Sequence, residues 1–543
     1  MIKQSLFILL LSGRFLLFGQ TQDTTKAQTE KAMPKLEIPE ITIVGKKAIT
    51  LPFARKGEVY DINIYKAPEP DSSLIGERYT LALPVGSFPR YEERREPIRA
   101  ALDGSFGSYS TGRLNAYLDY NALKWGITGR GGYKNTDGHT KNAYYSAFIL
   151  EGVAYSFLNT DNDILKTLRL NVGTNYVHNK YGLFGIIDYE IERARNNFTL
   201  DVQLGTSRRE AFTADVGLTT SVVSLTDKAG RNEKDASAFS PKLNVSLGGE
   251  IEKIRLNSEL LFMSNSLDYS SQSPSLLSFA LQGGWRIGSD WLLYFGGLYA
   301  SGSDTSGSAK SILSPMGILK WNIDRGSELS FWFQPEMKLA GYAEFFNRIP
   351  YLVREINLRP ERTPIGFGSA YRYTSELYSL ELRGVFSKVL DKSVIIADSG
   401  FIQINYVNAY SSSVQFQGTL KPKERTSLSV FAVINPSYEI GKSNQLPMMP
   451  LVRVKVRGEY SFQFPVKVWT DVEYFSRQNT DLEGKKPTLT DAMLFGVGAS
   501  ATYIPRTVLS LEISNILNTK YYWWERYKAP GIQFLLSAQV NVW

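Results

Sequence analysis

Arg453, Lys455 and Arg457 sit at every second position of an otherwise apolar run, so an extended backbone points all three cations to one side. On a wet wall such a ladder biases passage toward anions or grips an acidic segment; interleaved with carboxylates, it simply keeps the wall hydrated. Tyr521, Tyr522, Trp523 and Trp524 are the other concentrated group, suited to stacking on a sugar or another planar ligand, or to marking a membrane interface. Catalytic chemistry has little to draw on. The chain has two histidines, His139 and His178, both in segments that read as surface loops, so a Ser/His or Asp/His dyad would have to be built from one of them. Asp161 and Asp163 are too sparse for calcium, which takes about six to eight oxygens, and read as a polar turn. There is no cysteine, which excludes disulfides, thiolate metal sites and lipid anchoring through a thiol. With no phosphate-cradling glycine loop either, a protein without catalytic residues, metal or cofactor is expected.

The elements that carry these residues repeat one pattern from about Ser105 onward. In Asn197 to Leu204 the apolar set is Phe198, Leu200, Val202 and Leu204, and every partner is polar. The same period recurs in Leu168/Leu170/Val172, Val452/Val454/Val456 and Leu509/Leu511/Ile513. Each strand therefore has one apolar and one wet face, and the cation ladder falls on the wet one, with Arg113, Arg169 and Lys467 and opposite Asp119, Asp201, Asp471, Glu473 and Glu512. A soluble β-sandwich would also alternate, but its strands average about 5 to 6 residues. Runs of about 9 to 12 fit a tilted membrane crossing, with lipid outside and water inside. A hydrophobic share of 43% and a mean hydropathy of -0.19 leave no room for apolar helical spans. A net charge of +8 raises nucleic acid as a partner, but the basic residues are scattered along strands and loops, which argues against it. Outer-membrane lipid is the expected partner surface.

Gaps between strands sort into two alternating kinds, short (121–124, 207–210, 248–250, 288–290, 421–425, 504–506) and long (such as 178–195, 226–236, 338–364, 390–400, 436–450 and 515–531). Alternation means tight turns at one barrel end and long loops at the other, and the count comes to about 22 strands with both chain ends on the short-turn side. Residues 1–20 read as an export signal, 21–34 as a polar linker and 35–99 as a proline-rich irregular extension; 100–543 form the expected barrel. The location implied is the outer membrane of a Gram-negative bacterium.

Several segments resemble TonB-dependent receptors. Leu102 to Thr111 resembles the opening strand and turn of that barrel, Tyr133 to His139 its first surface loop, Leu358 to Arg362 an Asn-Pro-Glu stretch, and Leu446 to Pro450 a proline-bearing approach to a late strand. Ile513 to Tyr522 followed by Ala529 to Phe534 is similar to the closing hairpin. The resemblance implies 22 strands and a role in binding or passing a solute. It does not extend to the family's globular plug, whose motifs are missing before Ala100; residues 35–99 would serve as a reduced plug. Glu40, Ile41, Thr42, Ile43 and Val44 resemble the short strand by which such receptors engage TonB, so TonB or another periplasmic protein is a candidate partner. The alternatives are a non-transporting scaffold that binds partner proteins and a passive diffusion porin.

Overall fold

The computed structural model describes residues 98–542 apart from 123, 160–166, 187–189, 207–211, 252–253, 325, 399, 424 and 487. The export segment, the linker, residues 35–97 of the extension, Glu40 to Val44, Asp161, Asp163 and Trp543 lie outside these residues. One antiparallel sheet of 25 strands contains nearly all the regular structure. Three of its members, Ser266–Leu267, Glu336–Lys338 and Ser437–Glu439, are short continuations of the strand before them, which leaves 22 crossings. The first crossing, Ile98–Gly107, pairs with the last, Gln533–Asn541, in the register Ala101↔Asn541 to Gly107↔Leu535. The sheet therefore closes on itself and has no free edge.

Strand chemistry agrees with a membrane wall. Phe106, Leu114, Phe295 and Leu313 point outward and are among the most exposed large apolar side chains, whereas Asn197 and Asp119 on the inner parity are buried. Phe534, Leu536, Val540 and Val542 are exposed on the outer face of the closing segment, as their alternation requires. Aromatic pairs mark the short-turn rim: Trp291 stacks on Trp321 at 4.9 Å, Tyr120 meets Trp125 at 4.9 Å, and Tyr373 stacks on Tyr378 at 5.2 Å. That is the girdle an amphipathic ring forms at the headgroup boundary. The short-turn end is periplasmic and the other extracellular in barrels of this build.

Three expectations about loops need correction. His178 is not in a loop; the strand Thr167–Gly182 includes it, and its Nδ1 lies 2.8 Å from Asn196 Oδ1 on the next strand. The segment 226–236 is mostly ladder: Phe212–Ala229 and Asn232–Ile251 pair up to Ala229↔Asn232 and turn at Gly230, whose φ of +62° suits glycine. The segment 390–400 is likewise paired, in the hairpin of Tyr378–Asp398 with Phe401–Lys423. Charged and polar residues at these positions suggested loops, but cross-strand bonding continues wherever both partners stay extended, whatever their polarity.

Candidate functional site

The candidate functional feature is the extracellular mouth, which inward-folded parts of the chain span. Two parts of the chain close it. The first is the hairpin 378–423, whose ladder shifts register between Val389 and Lys392, with Asp391 at φ +55°. An extra residue in one strand bends it and increases its twist. Asp391 is pinned at the bend by Lys310 Nζ at 2.8 Å and Arg362 Nη2 at 3.0 Å, and its amide donates to Asn408 Oδ1 at 3.1 Å. Beyond the bend the tip reaches the last long loop, where Tyr527 Oη donates to Gly400 O at 3.0 Å, and the loop after the fifth crossing, where a Cβ on Gly400 would meet Gly185 O.

The second part is the connection from Leu339 to Pro360, one of the segments read from sequence as a long loop. It contains the short helix Tyr342–Arg348, with Tyr342, Phe345 and Phe346 buried. The spacing Tyr342, Phe345, Phe346, Ile349 is that of an apolar helix face, a signal the strand-by-strand reading passed over. Leu339, Ile349, Tyr351, Leu352, Ile356 and Leu358 are buried too, in the largest apolar cluster among the described residues, with Tyr145, Tyr181, Val223, Leu225, Ala238, Ile402, Trp524 and Tyr527. A stretch so apolar gains by leaving water, and the bed waiting for it is the inner face of the upper wall.

Hydrogen bonds fix this lid along its length. Tyr181 Oη donates to Pro350 O at 2.8 Å. Arg193, 1% exposed, forks onto Asp227 at 2.6 and 2.8 Å while its Nη1 donates to Pro350 O at 3.0 Å and to Leu352 O. Tyr342 Oη donates to Arg354 O at 2.6 Å, Tyr269 Oη to Ile356 O at 2.9 Å and Tyr406 Oη to Asn357 O at 2.9 Å. On the far side, Val353 N donates to Ile402 O at 2.8 Å, beside a parallel bridge Leu352↔Ile402. Tyr181 is on the fifth crossing and Ile402 on the sixteenth, half-way round a ring of 22. Residues 350–353 are thus tied to opposite walls at once. Tyr351 and Tyr527 stack at 4.1 Å over the seam, and burial pushes the phenols of Tyr342, Tyr351 and Tyr527 upward, so Tyr342 and Tyr527 donate as neutral hydroxyls.

The residues singled out from sequence fall around this mouth and below it. Arg453, Lys455 and Arg457 face the lumen with carboxylates between them: Arg453 pairs with Glu473 at 2.8 Å, and Arg457 with Glu459 at 2.7 Å and Asp471 at 3.3 Å, while Lys455 is exposed. Lys467 also pairs with Glu459, at 2.6 Å. Of the aromatic group, Trp524 is fully buried, Tyr521 is buried against Phe475, Trp523 meets His139 edge-on at 6.2 Å, and only Tyr522 is exposed. His139 Nε2 is 2.7 Å from Lys528 O, and burial lowers its pKa. Among the described residues no group of His, Asp and Glu could hold a metal ion. The lid and its anchors Arg193 and Asp227 were missed because their partners are over a hundred residues away in sequence, 157 for Arg193 and Pro350.

No protein-family model matches the sequence, and no curated protein matches it. Solved structures do share the fold. The FrpB iron transporter from Neisseria meningitidis (F3-3 variant) is similar at a TM-score of 0.64 and 10% identity, over 82% of this chain and 81% of that one. The copper transporter OprC gives 0.64 and 11%, over 84% and 82%. The siderophore receptor PirA from Acinetobacter baumannii gives 0.63 and 10%, over 83% and 81%. At such identities the likeness is one of fold: the chain forms a closed 22-stranded antiparallel barrel like the barrels of these transporters and receptors.

Proposed function

We propose that the protein is an outer-membrane receptor and transporter whose extracellular gate is the lid 339–360 together with the bent hairpin tip. The observation that carries this reading is the attachment of residues 350–353 to opposite walls through Arg193, Tyr181 and Ile402. A permanently open porin has no use for such a closure, and a barrel of about 22 strands is too wide for its own side chains to fill. The structural neighbours are by their titles an iron transporter, a copper transporter and a siderophore receptor, which supports transport and leaves the solute of this chain open. On this reading residues 35–99 act as a reduced plug from the periplasmic side, and Glu40 to Val44 offer a strand to TonB.

The test uses the absence of native cysteine. Leu352→Cys with Ile402→Cys places a disulfide at the bridge between lid and hairpin, in an otherwise thiol-free chain. Single-channel conductance is recorded for this variant with and without deletion of 35–99. The expected result is a deletion that conducts when reduced and is silent when oxidised, with the undeleted chain silent throughout. A deletion that conducts equally under oxidising and reducing conditions would show that the lid gates nothing. Silence of the reduced deletion would favour the scaffold.

A further inference from the structure

Beneath the roof, between the lid helix and the wall, lies a cavity of about 310 Å³. Five of its lining residues are Lys or Arg and three are Glu. Glu361 is already engaged, accepting from the Ser393 amide at 2.8 Å and from its hydroxyl. Arg359 lies over the Tyr406 ring at 5.4 Å. Arg348, at the end of the lid helix, has no carboxylate partner among the described residues, and its Nε is buried without a hydrogen bond. Lys392, the first paired residue past the bulge, donates to Ser411 Oγ at 3.4 Å, a weak bond for an ammonium. Arg348 and Lys392 are close enough to feel each other's charge, and Glu361 favours the Lys392 ammonium more strongly than Arg348 opposes it. Two cations from separate parts of the roof thus face one polar cavity, Arg348 without a carboxylate and Lys392 with one long hydrogen bond, and both keep donors that a bound anion can take.

We propose that this cavity is an anion subsite: it takes the carboxylate or phosphate group of a polar ligand, bridging Arg348 on the lid to Lys392 on the bent hairpin. The hydroxyls of Ser387, Ser411 and Ser413 on the same wall supply further donors. Because the anion touches both parts of the roof, occupancy holds the mouth shut over the ligand. This rests on the reading of the roof as a gate and names the chemistry of what it closes upon.

The experiment is calorimetric titration of the full chain in detergent with citrate and, separately, inorganic phosphate, with glucose as the neutral control. At least one anion is expected to bind, and which one identifies the group. Arg348→Gln and Lys392→Gln are each expected to weaken binding by about tenfold or more, with Arg348→Lys retaining most of it. Heat-modifiable migration on gels reports whether each variant is folded. The wild-type chain gives an independent readout: the binding anion is expected to slow tryptic cleavage within the lid. No binding of either anion, equal binding of glucose, or binding unchanged in both Gln variants overturns the subsite. Titration does not depend on passage, so failed binding with an intact disulfide-controlled gate removes the subsite alone. Normal binding with an inert gate removes the transport reading alone.

Discussion

Replacing Arg193 by Met is the sharpest perturbation of the closed mouth. The guanidinium makes two bonds to Asp227 and two to lid carbonyls from a fully buried position, so truncation removes the attraction and leaves a carboxylate behind. Breaking a buried pair by deleting one partner costs about 3–5 kcal/mol. The lower end applies here, because Asp227 keeps 15% exposure and has Arg354 Nη1 at 3.7 Å as a substitute, and because Pro350 O still accepts from Tyr181. About 3 kcal/mol is roughly a hundredfold increase in the open population of the lid, if the lid opens as a unit. The assay is limited trypsin digestion of the full chain, which can cut after Arg348 and Arg354 within the lid, Arg359 being protected by Pro360. Cleavage within the lid should accelerate by about two orders of magnitude, for cleavage slow against reclosing. Asp227→Asn, which strands the cation instead, should act in the same direction. The double variant Arg193→Met with Asp227→Asn strands no charge and should be less damaging than Arg193→Met alone. Arg193→Met and Asp227→Asn both as resistant to trypsin as wild type would refute the assignment of this cluster as the latch.

Gly400→Ala should loosen the hairpin tip, since φ +88° disfavours a side chain and the new Cβ meets Gly185 O; increased proteolysis near residue 400 checks it, at a cost of about 1–2 kcal/mol from the backbone alone. His139 has a lowered pKa through burial against an unfolded value of 6.5, so its corner is fully stable above 6.5 and loses stability as pH falls through the folded value. Trp523 fluorescence followed from pH 7.5 down to about 4.5 should report this loosening, and His139→Gln should abolish the dependence. In the deletion lacking 35–99 with the lid also removed, Arg453→Gln takes one positive charge from the lumen wall beside Glu473 and should shift reversal potentials toward cation selectivity. A ladder that acts as an unpaired anion guide would instead show equal shifts from Arg453→Gln and from exposed Lys455→Gln.

How far the fold was legible follows from which interactions are local. Period-two alternation is a property of each strand, so the 22 crossings, their lipid-facing sets and the short-turn end could be read directly. The lid could not be placed that way. Its apolar residues were visible in Tyr342 to Leu358, but a loop joining the thirteenth and fourteenth crossings gives no hint that its partners are Tyr181 and Arg193 on the fifth and sixth. The cation ladder was legible as a wet face, while its neutralisation by Glu473 and Asp471 depended on the register with the neighbouring strand. The aromatic run Tyr521 to Trp524 was ambiguous because aromatic residues serve cores and interfaces alike, and Trp524 proves to be in a core.

One signal in the sequence does predict where the wall leaves the membrane. Between Val216 and Val222 the apolar residues Val216, Leu218 and Val222 point outward and Thr219 and Ser221 inward; from Val223 the order inverts, with Val223 and Leu225 buried inside. The adjacent pair Val222-Val223 marks the inversion, and Ala238-Phe239 marks it on the paired strand, where Val223↔Ala238 and Val222↔Phe239 are in register. Below that line, lipid is outside and water inside; above it, water is outside and the lid is inside. Strand length follows the same division. Crossings from Val452 through the closure to Thr136 have 8 to 12 residues, near what a bilayer span requires, whereas those from Tyr145 to Ile251 have 15 to 20 and the bent hairpin 21 and 23. The surplus, up to roughly ten residues or about 30 Å of strand, is wall raised above the membrane. Its inner face is apolar because it has a lid to hold. An inversion of phase part-way along an over-long strand is therefore the sequence mark of an inward-folded extracellular loop, and it sits on the strands that clasp residues 339–360.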